Sequence, residues 1–368
     1  MSDKPGLTMQ QKVQNFQLLQ GRLTAAKWIS MSEPEVGREI ADLEGDPLFQ
    51  DLMYGMPGQS PVFQRKRWPA SSIHSGFYEI KDEISAGGGS GDIADLLEDK
   101  NDLISRIQEI GVEAFERYFL YGEEGMGLDK ICSTLGLKPE EAKRILDLVL
   151  KVGSRSEFFH VSPTMETSGI RYHCIASIEK DPREPENLFF RFMTPYWARG
   201  KYVVQYDRLE DWKKERNLGS ENKKKLRHLL KKVELLNMRQ DTLFQILSRV
   251  TSEQSSFLRS RVGSRRRPLS LRELSRRIGV APSTVSRAVS NRSVQLPWGE
   301  EAPLKSLLTG QRLVILSIMT DWMSDGRLGE GVTDESLMQR LAAESGISVS
   351  RRTVNECRRK LGAGKPRG

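Results

Sequence analysis

Along most of this chain apolar residues recur every three or four positions, which predicts amphipathic helices. Residues 8–30 place Val13, Phe16, Leu19, Leu23 and Ala26 on one face, with Gln10, Gln11, Gln14, Gln17 and Gln20 between them. A second helix is predicted from Pro34 to about Leu43, started near Ser32 or Glu33 and stopped at Gly45-Asp46-Pro47. This glutamine-rich unit reads either as a pair of bundle helices or as a detachable regulatory arm. Residues 55–92 are rich in Gly, Ser and Pro and read as a linker, in which Phe63 and Trp68 flank Arg65, Lys66 and Arg67. Helical spacing returns at Ile93 and includes a helix-turn-helix-like run with Ile131, Leu135, Leu137, Ala142 and Ile145 as its core and Gly136 at its turn. Glu140 and Glu141 open the second helix of that run and would repel phosphates, so it is expected to pack on protein.

The period changes in residues 170–207. RYHCIASIE, NLFFRFM and KYVVQYD are β-branched and aromatic and predict a small antiparallel sheet. A long helical region follows, with Leu226, Leu229, Leu230, Val233, Leu236, Met238, Leu243, Ile246, Leu247 and Val250 as its apolar seam.

Residues 268–299 predict a helix, a tight turn and a second short helix. Ser270 and Glu273 have capping-box spacing, Leu271, Leu274 and Ile278 recur helically, and Gly279 ends the first helix. Pro282 suits the first turn of the second helix, and Val280 and Val285 face the shared core. Ser283, Thr284, Ser286, Arg287 and Asn291 are left pointing outward, short polar groups and a guanidinium of the kind that reads base edges in a major groove. Further on, QRLVILSIMTDWMS predicts a buried helix, Thr333 caps another, and a turn from Gly346 leads to a final helix, SRRTVNECRRKLG. Val354, Cys357 and Leu361 form its buried stripe, with Arg351, Arg352, Asn355 and Arg358 on or near the exposed side. Arginine pairs bidentately with guanine and asparagine with adenine, making this a second candidate reading helix.

The fold class expected is mainly α and multi-domain: helical bundles, two C-terminal helix-turn-helix units and a small antiparallel β element near 170–207. The formal net charge of +8 sharpens the DNA reading because it is unevenly placed. Between positions 259 and 292 the chain carries Arg259, Arg261, Arg265, Arg266, Arg267, Arg272, Arg276, Arg277, Arg287 and Arg292 against Glu273 alone, a local field that favours a polyanion. Cys132, Cys174 and Cys357 lie far apart, so neither a disulfide framework nor a metal site is expected, and a reducing cytoplasm is. No signal peptide or membrane span is read. His160, His173 and Cys174 read as sheet residues, and with no clustered acid, base or nucleophile the chain is expected not to be an enzyme and to need no cofactor.

With both C-terminal units in view, the sequence resembles the sigma-54 family of bacterial RNA polymerase sigma factors. SRRTVNECRR at 350–359 is similar to that family's C-terminal signature box, with Arg351, Arg352, Thr353 and Val354 matching its core, Glu356 where the family has lysine and Cys357 where it has an aromatic residue. Ser283 to Arg287 resembles the family's other helix-turn-helix. LTMQQKVQNFQLLQGR and REIADLEGDPLFQDL are similar to its activator-interaction region. The resemblance implies residues 1–54 as an activator-interaction region (Phe16, Leu19, Leu23), 55–92 as a flexible linker and 93–258 as a core polymerase-binding region. It implies 259–310 as the reader of a downstream GC promoter element and 311–368 as the reader of an upstream GG element. Core RNA polymerase, promoter DNA and an ATP-hydrolysing AAA+ activator are the partners implied. No GxxxxGK[ST] loop is present in the chain to supply the ATPase itself. The alternative is a helix-turn-helix regulator that binds DNA without polymerase.

Overall fold

A computed structural model of the chain describes residues 9–55, 60–73, 101–122, 125–159, 172–181, 183–216, 218–328 and 331–362. His74, His160 and the helix expected to start at Ile93 fall outside them, apart from the part of that helix beyond residue 100. Helix α1 (Met9–Ser30) leads to α2 (Glu33–Glu44), started by a complete capping box. Ser32 Oγ accepts from the Glu35 N–H, and the Glu35 carboxylate accepts from the Ser32 N–H at 2.8 Å. Asp46 then caps α3 (Pro47–Tyr54), accepting from the Leu48 N–H at 2.7 Å.

The stretch read as a linker contains two strands, β1 (Phe63–Lys66) and β2 (Ser71–Ile73). Phe63, Arg65, Trp68 and Ile73 are buried, so the two aromatic residues and Arg65 serve the interior, while Lys66 is exposed. Next come α4 (Asn101–Ile110), α5 (Val112–Phe115) running into a π-helical turn at Glu116–Tyr121, α6 (Leu128–Leu135) and α7 (Pro139–Phe159). Strands β3 (His173–Lys180) and β4 (Leu188–Phe192) pair antiparallel as expected, while TPYWARG folds into a short helix, α8 (Pro195–Ala198). β5 (Lys201–Val204) leaves that sheet and pairs antiparallel with β1, Phe63 opposite Val204.

The long helical region is broken at Leu218 and Gly219 into α9 (Tyr206–Glu215) and α10 (Ser220–Glu253), followed by α11 (Ser255–Ser260) and a 3-10 turn at Gly263–Arg265. After α12 (Leu271–Ile278) and α13 (Pro282–Val289), β6 (Arg292–Gln295) and β7 (Glu301–Pro303) complete a five-stranded mixed sheet ordered β2-β4-β3-β6-β7. The chain ends with α14 (Gln311–Ser324), α15 (Asp334–Ser345) and α16 (Arg351–Lys360). One hydrophobic core gathers buried residues from Trp28 to Leu307, and a second, from Val314 to Cys357, lies under the last three helices.

Two buried carboxylates tie the N-terminal helices to that first core. Glu33 accepts from Arg239 Nη2 and Arg292 Nε, each at 2.6 Å, from the Tyr196 hydroxyl at 2.8 Å and from the Trp197 indole at 3.0 Å. Glu44 accepts from Arg65 at 2.8 Å, from Arg199 at 2.9 Å and from the Tyr202 hydroxyl. Helices α2 and α3 thus each bury one face in that core while Glu35, Arg38, Asp42 and Gln50 remain exposed.

Gly200 turns the chain between α8 and β5 with φ +80°, and a Cβ there would lie 2.0 Å from the Lys66 carbonyl oxygen. Gly200→Ala is expected to destabilise the protein by at least the ~1–3 kcal/mol of left-handed strain, because backbone must also move. A melting point unchanged from wild type would show that β1 and β5 separate freely.

Candidate nucleic-acid interface

Helices α12 and α13 are set against each other by their sequence. Ser270 caps α12 by accepting from the Glu273 N–H at 3.1 Å, Gly279 takes φ +72° to end it, and Pro282 opens α13. Leu274, Ser275, Val285, Ala288 and Val289 are buried between them and α10. The Glu273 carboxylate does not reach back to Ser270 as the spacing predicted; it pairs with Arg276 at 2.9 Å and Arg277 at 2.8 Å. Ser283, Arg287 and Asn291 are exposed and Thr284 and Ser286 half-buried, so the five residues expected outward share the accessible side of α13 and its C-terminal end.

The second pair is built similarly. Thr333 caps α15 by accepting from the Ser336 N–H at 3.2 Å, Gly346 takes φ +65°, and Ser350 caps α16 through the Thr353 N–H at 3.4 Å. Val354 and Cys357 are buried. Arg351 and Arg352 project, with side chains 79% and 89% exposed.

Arg358 corrects the sequence reading. Its side chain is only 4% exposed, and its guanidinium donates to the Val332 carbonyl at 2.7 Å and to Asp334 at 3.3 Å. The signal was present, since Arg358 lies four residues after Val354 and therefore on the buried stripe. Asp334, itself buried, also accepts from the Asn355 amide at 3.1 Å, which leaves Asn355 half-buried. The exposed cations that the spacing overlooked are Arg359 and Lys360.

Tertiary structure also redistributes the basic run. Arg292 is buried on Glu33, and Arg259, Arg261 and Arg277 find Glu186, Glu300 and Glu253. Arg265, Arg267, Arg272 and Arg287 stay exposed with no carboxylate partner among the described residues. The positive field is therefore narrower than the composition implied, and it lies beside α12 and α13. Of the residues expected to meet an activator, Leu23 is 63% exposed. The side chains of Phe16 and Leu19 lie outside the described residues.

The family model for the sigma-54 DNA-binding domain matches residues 219–367. That part of the chain is therefore similar to the sigma-54 DNA-binding domain family. The RNA polymerase sigma-54 factor of Rhodobacter capsulatus is 28% identical over 171 residues, 44% of this chain and 39% of that protein. The corresponding factor of Bacillus subtilis is 26% identical over 133 residues, 33% of this chain and 30% of that protein. The chain thus matches less than half the length of these curated relatives. The crystal structure of Aquifex aeolicus sigmaN bound to promoter DNA is similar at a TM-score of 0.36 and 18% identity, over 71% of this chain and 97% of that one. Among the described residues, no helix is long and apolar enough to cross a membrane.

Within the matched region, Glu356 pairs with Arg312 and accepts from Arg352 at 3.2 Å. A carboxylate on this face repels phosphate and competes for an arginine otherwise free to bind. Glu356→Gln is expected to raise affinity for duplex DNA about two- to fivefold, in line with the small worth of an exposed pair. Titration of labelled duplex by anisotropy measures it, and weaker binding would mean that Glu356 orients Arg352 rather than competing for it.

Proposed function

We propose that this chain is a sigma-54-type transcription initiation factor, cytoplasmic, that binds core RNA polymerase and directs it to promoters with an upstream GG and a downstream GC element. The observation that carries the reading is the α15–α16 unit inside the matched domain: a capped, firmly seated helix that presents Arg351 and Arg352 to solvent at the start of SRRTV. In this reading Arg351 and Arg352 recognise the GG element, with Asn355 beside them, while Ser283, Thr284, Ser286, Arg287 and Asn291 face the downstream element. The two units are helix-turn-helix modules of domains 259–310 and 311–368, and the change of hydrophobic core between Leu307 and Val314 supports a boundary there.

Residues 93–258 serve polymerase binding, and 1–54 receive an ATP-hydrolysing AAA+ activator that opens the closed complex. The exposed Leu23 supports that role for α1. Gel filtration of the purified chain with core RNA polymerase tests the assignment, followed by selection of bound sequences from random duplex. A stable complex that enriches GG- and GC-spaced sites is expected. Sequence-selective DNA binding without any polymerase complex would instead establish a free-standing transcriptional regulator.

A further inference from the structure

A cleft of about 560 Å³ lies where the Gly263–Arg265 turn and the segment after it face the C-terminal end of α15. Arg259, Arg265, Arg266 and Arg267 line one side, Glu344 and Ser345 the other. Both carboxylates near it are already engaged: Glu186 by Arg259, and Glu344 by Arg327 at 3.4 Å and Arg340 at 3.3 Å. Arg265 and Arg267 have no such partner among the described residues.

Arg266 is the preorganised member. Its guanidinium lies over the Phe257 ring, 4.0 Å from the centroid, and donates one N–H to the Ser306 carbonyl at 3.3 Å. Stacking and that single bond fix the plane while the other donors keep no protein acceptor among the described residues. A planar fork held this way suits the oxygens of a phosphate. Burial pulls the Arg266 pKa down, and a guanidinium keeps its charge in proteins. The turn itself is braced, because it packs against α14, where a Cβ on Gly263 would lie 2.8 Å from Ser317 Oγ.

We propose that this cleft seats a backbone phosphate of duplex DNA between the two reading units. Its position argues for DNA over a small polyphosphate. Arg267 stands three residues before the Ser270 cap of α12, and Ser345 precedes the turn that delivers Arg351, so a phosphate here would share a duplex with both reading helices. The proposal rests on α13 and α16 as those helices, and it adds a contact that fixes the spacing between them without reading sequence.

The test uses the full chain with a selected promoter duplex and a scrambled duplex of equal length, each bound across a salt series. The double variant Arg265→Ala/Arg267→Ala is expected to weaken both alike and to lower the slope of log affinity against log salt by about one, leaving the promoter-to-scrambled ratio unchanged. Lys213→Ala/Lys214→Ala on α9 removes the same charge and is expected to leave the slope alone. Circular dichroism melting checks that the exposed substitutions leave the fold intact. An unchanged slope in a chain that still discriminates sequences overturns the cleft but not the reading helices. A lowered slope in a chain without discrimination keeps the cleft and overturns the helices. Inorganic tripolyphosphate that binds by calorimetry through Arg265 and Arg267, with the DNA slope unmoved, assigns the cleft to a small polyphosphate and overturns the DNA assignment.

Discussion

Replacing Glu33 by alanine is expected to lower the stability of the unit holding the first core by about 3–5 kcal/mol, the range for removing one partner of a buried ion cluster. Glu33 is the shared acceptor for Arg239 and Arg292, both almost wholly buried, and Arg239 already carries Nε and Nη1 atoms without hydrogen-bond partners among the described residues. Without the carboxylate, two guanidinium groups would face each other in the interior and admit water or unfold the segment. The loss should spread beyond α2, because Arg292 begins β6 and α1 packs against α13 and α10. Chemical denaturation followed by tryptophan emission reads the effect, since Trp28 and Trp197 are buried in this core. A change under about 1 kcal/mol would mean that the cluster is already hydrated.

The same residue sets an acid dependence. Burial alone would push the Glu33 carboxyl up, but Arg239 and Arg292, with hydrogen bonds from Arg292 and Trp197, outweigh it and hold the group well below its usual value of 4.5. Glu44 is depressed for the same reason, burial being overcome by Arg65, Arg199 and Tyr202. A carboxyl lowered in the folded state contributes stability that is fully present above the unfolded value and lost as pH falls through the folded one. Stability should therefore hold near neutrality and decline as the pH drops below about 4.5. Glu33→Gln should flatten that acid limb while lowering stability at neutral pH.

What was legible in the sequence is what is local. Ser270, Thr333, Gly279, Gly346 and Pro282 act on the backbone within four residues, and the caps and turns they predict are where the spacing put them. Strands β1 and β2 were not legible, because four- and three-residue strands have little pattern of their own and their partners begin at Lys201 and Leu188. The meaning of individual arginines was not legible either. Arg292 and Glu33 lie 259 positions apart, so composition counted as surface charge a group that serves the core. Arg358 is different: its place on the buried stripe was readable, but charge is usually external and Asp334 with the Val332 carbonyl explains the exception.

The last expectation concerns the outward face of α16. Arg351→Ala/Arg352→Ala should leave the fold untouched, since both side chains are exposed and Arg352 has only Glu356 as a partner among the described residues, while Arg351 stands 4.0 Å from Asp334. Each bidentate arginine–guanine contact contributes about 1–3 kcal/mol of discrimination, so the double variant should lose about 2–6 kcal/mol on a selected promoter and little on scrambled duplex. That asymmetry separates the roles of the two basic regions. Losing Arg351 and Arg352 is expected to narrow the gap between sequences, whereas losing the cleft arginines is expected to lower both affinities together. Competition binding of the two variants against the same pair of duplexes makes the distinction, and equal losses on both sequences for Arg351 and Arg352 would turn α16 into a phosphate clamp. Asn355→Ala measures the third residue of this face: its amide is held by Asp334, so a loss as large as that of either arginine would require Asp334 to release it when DNA binds.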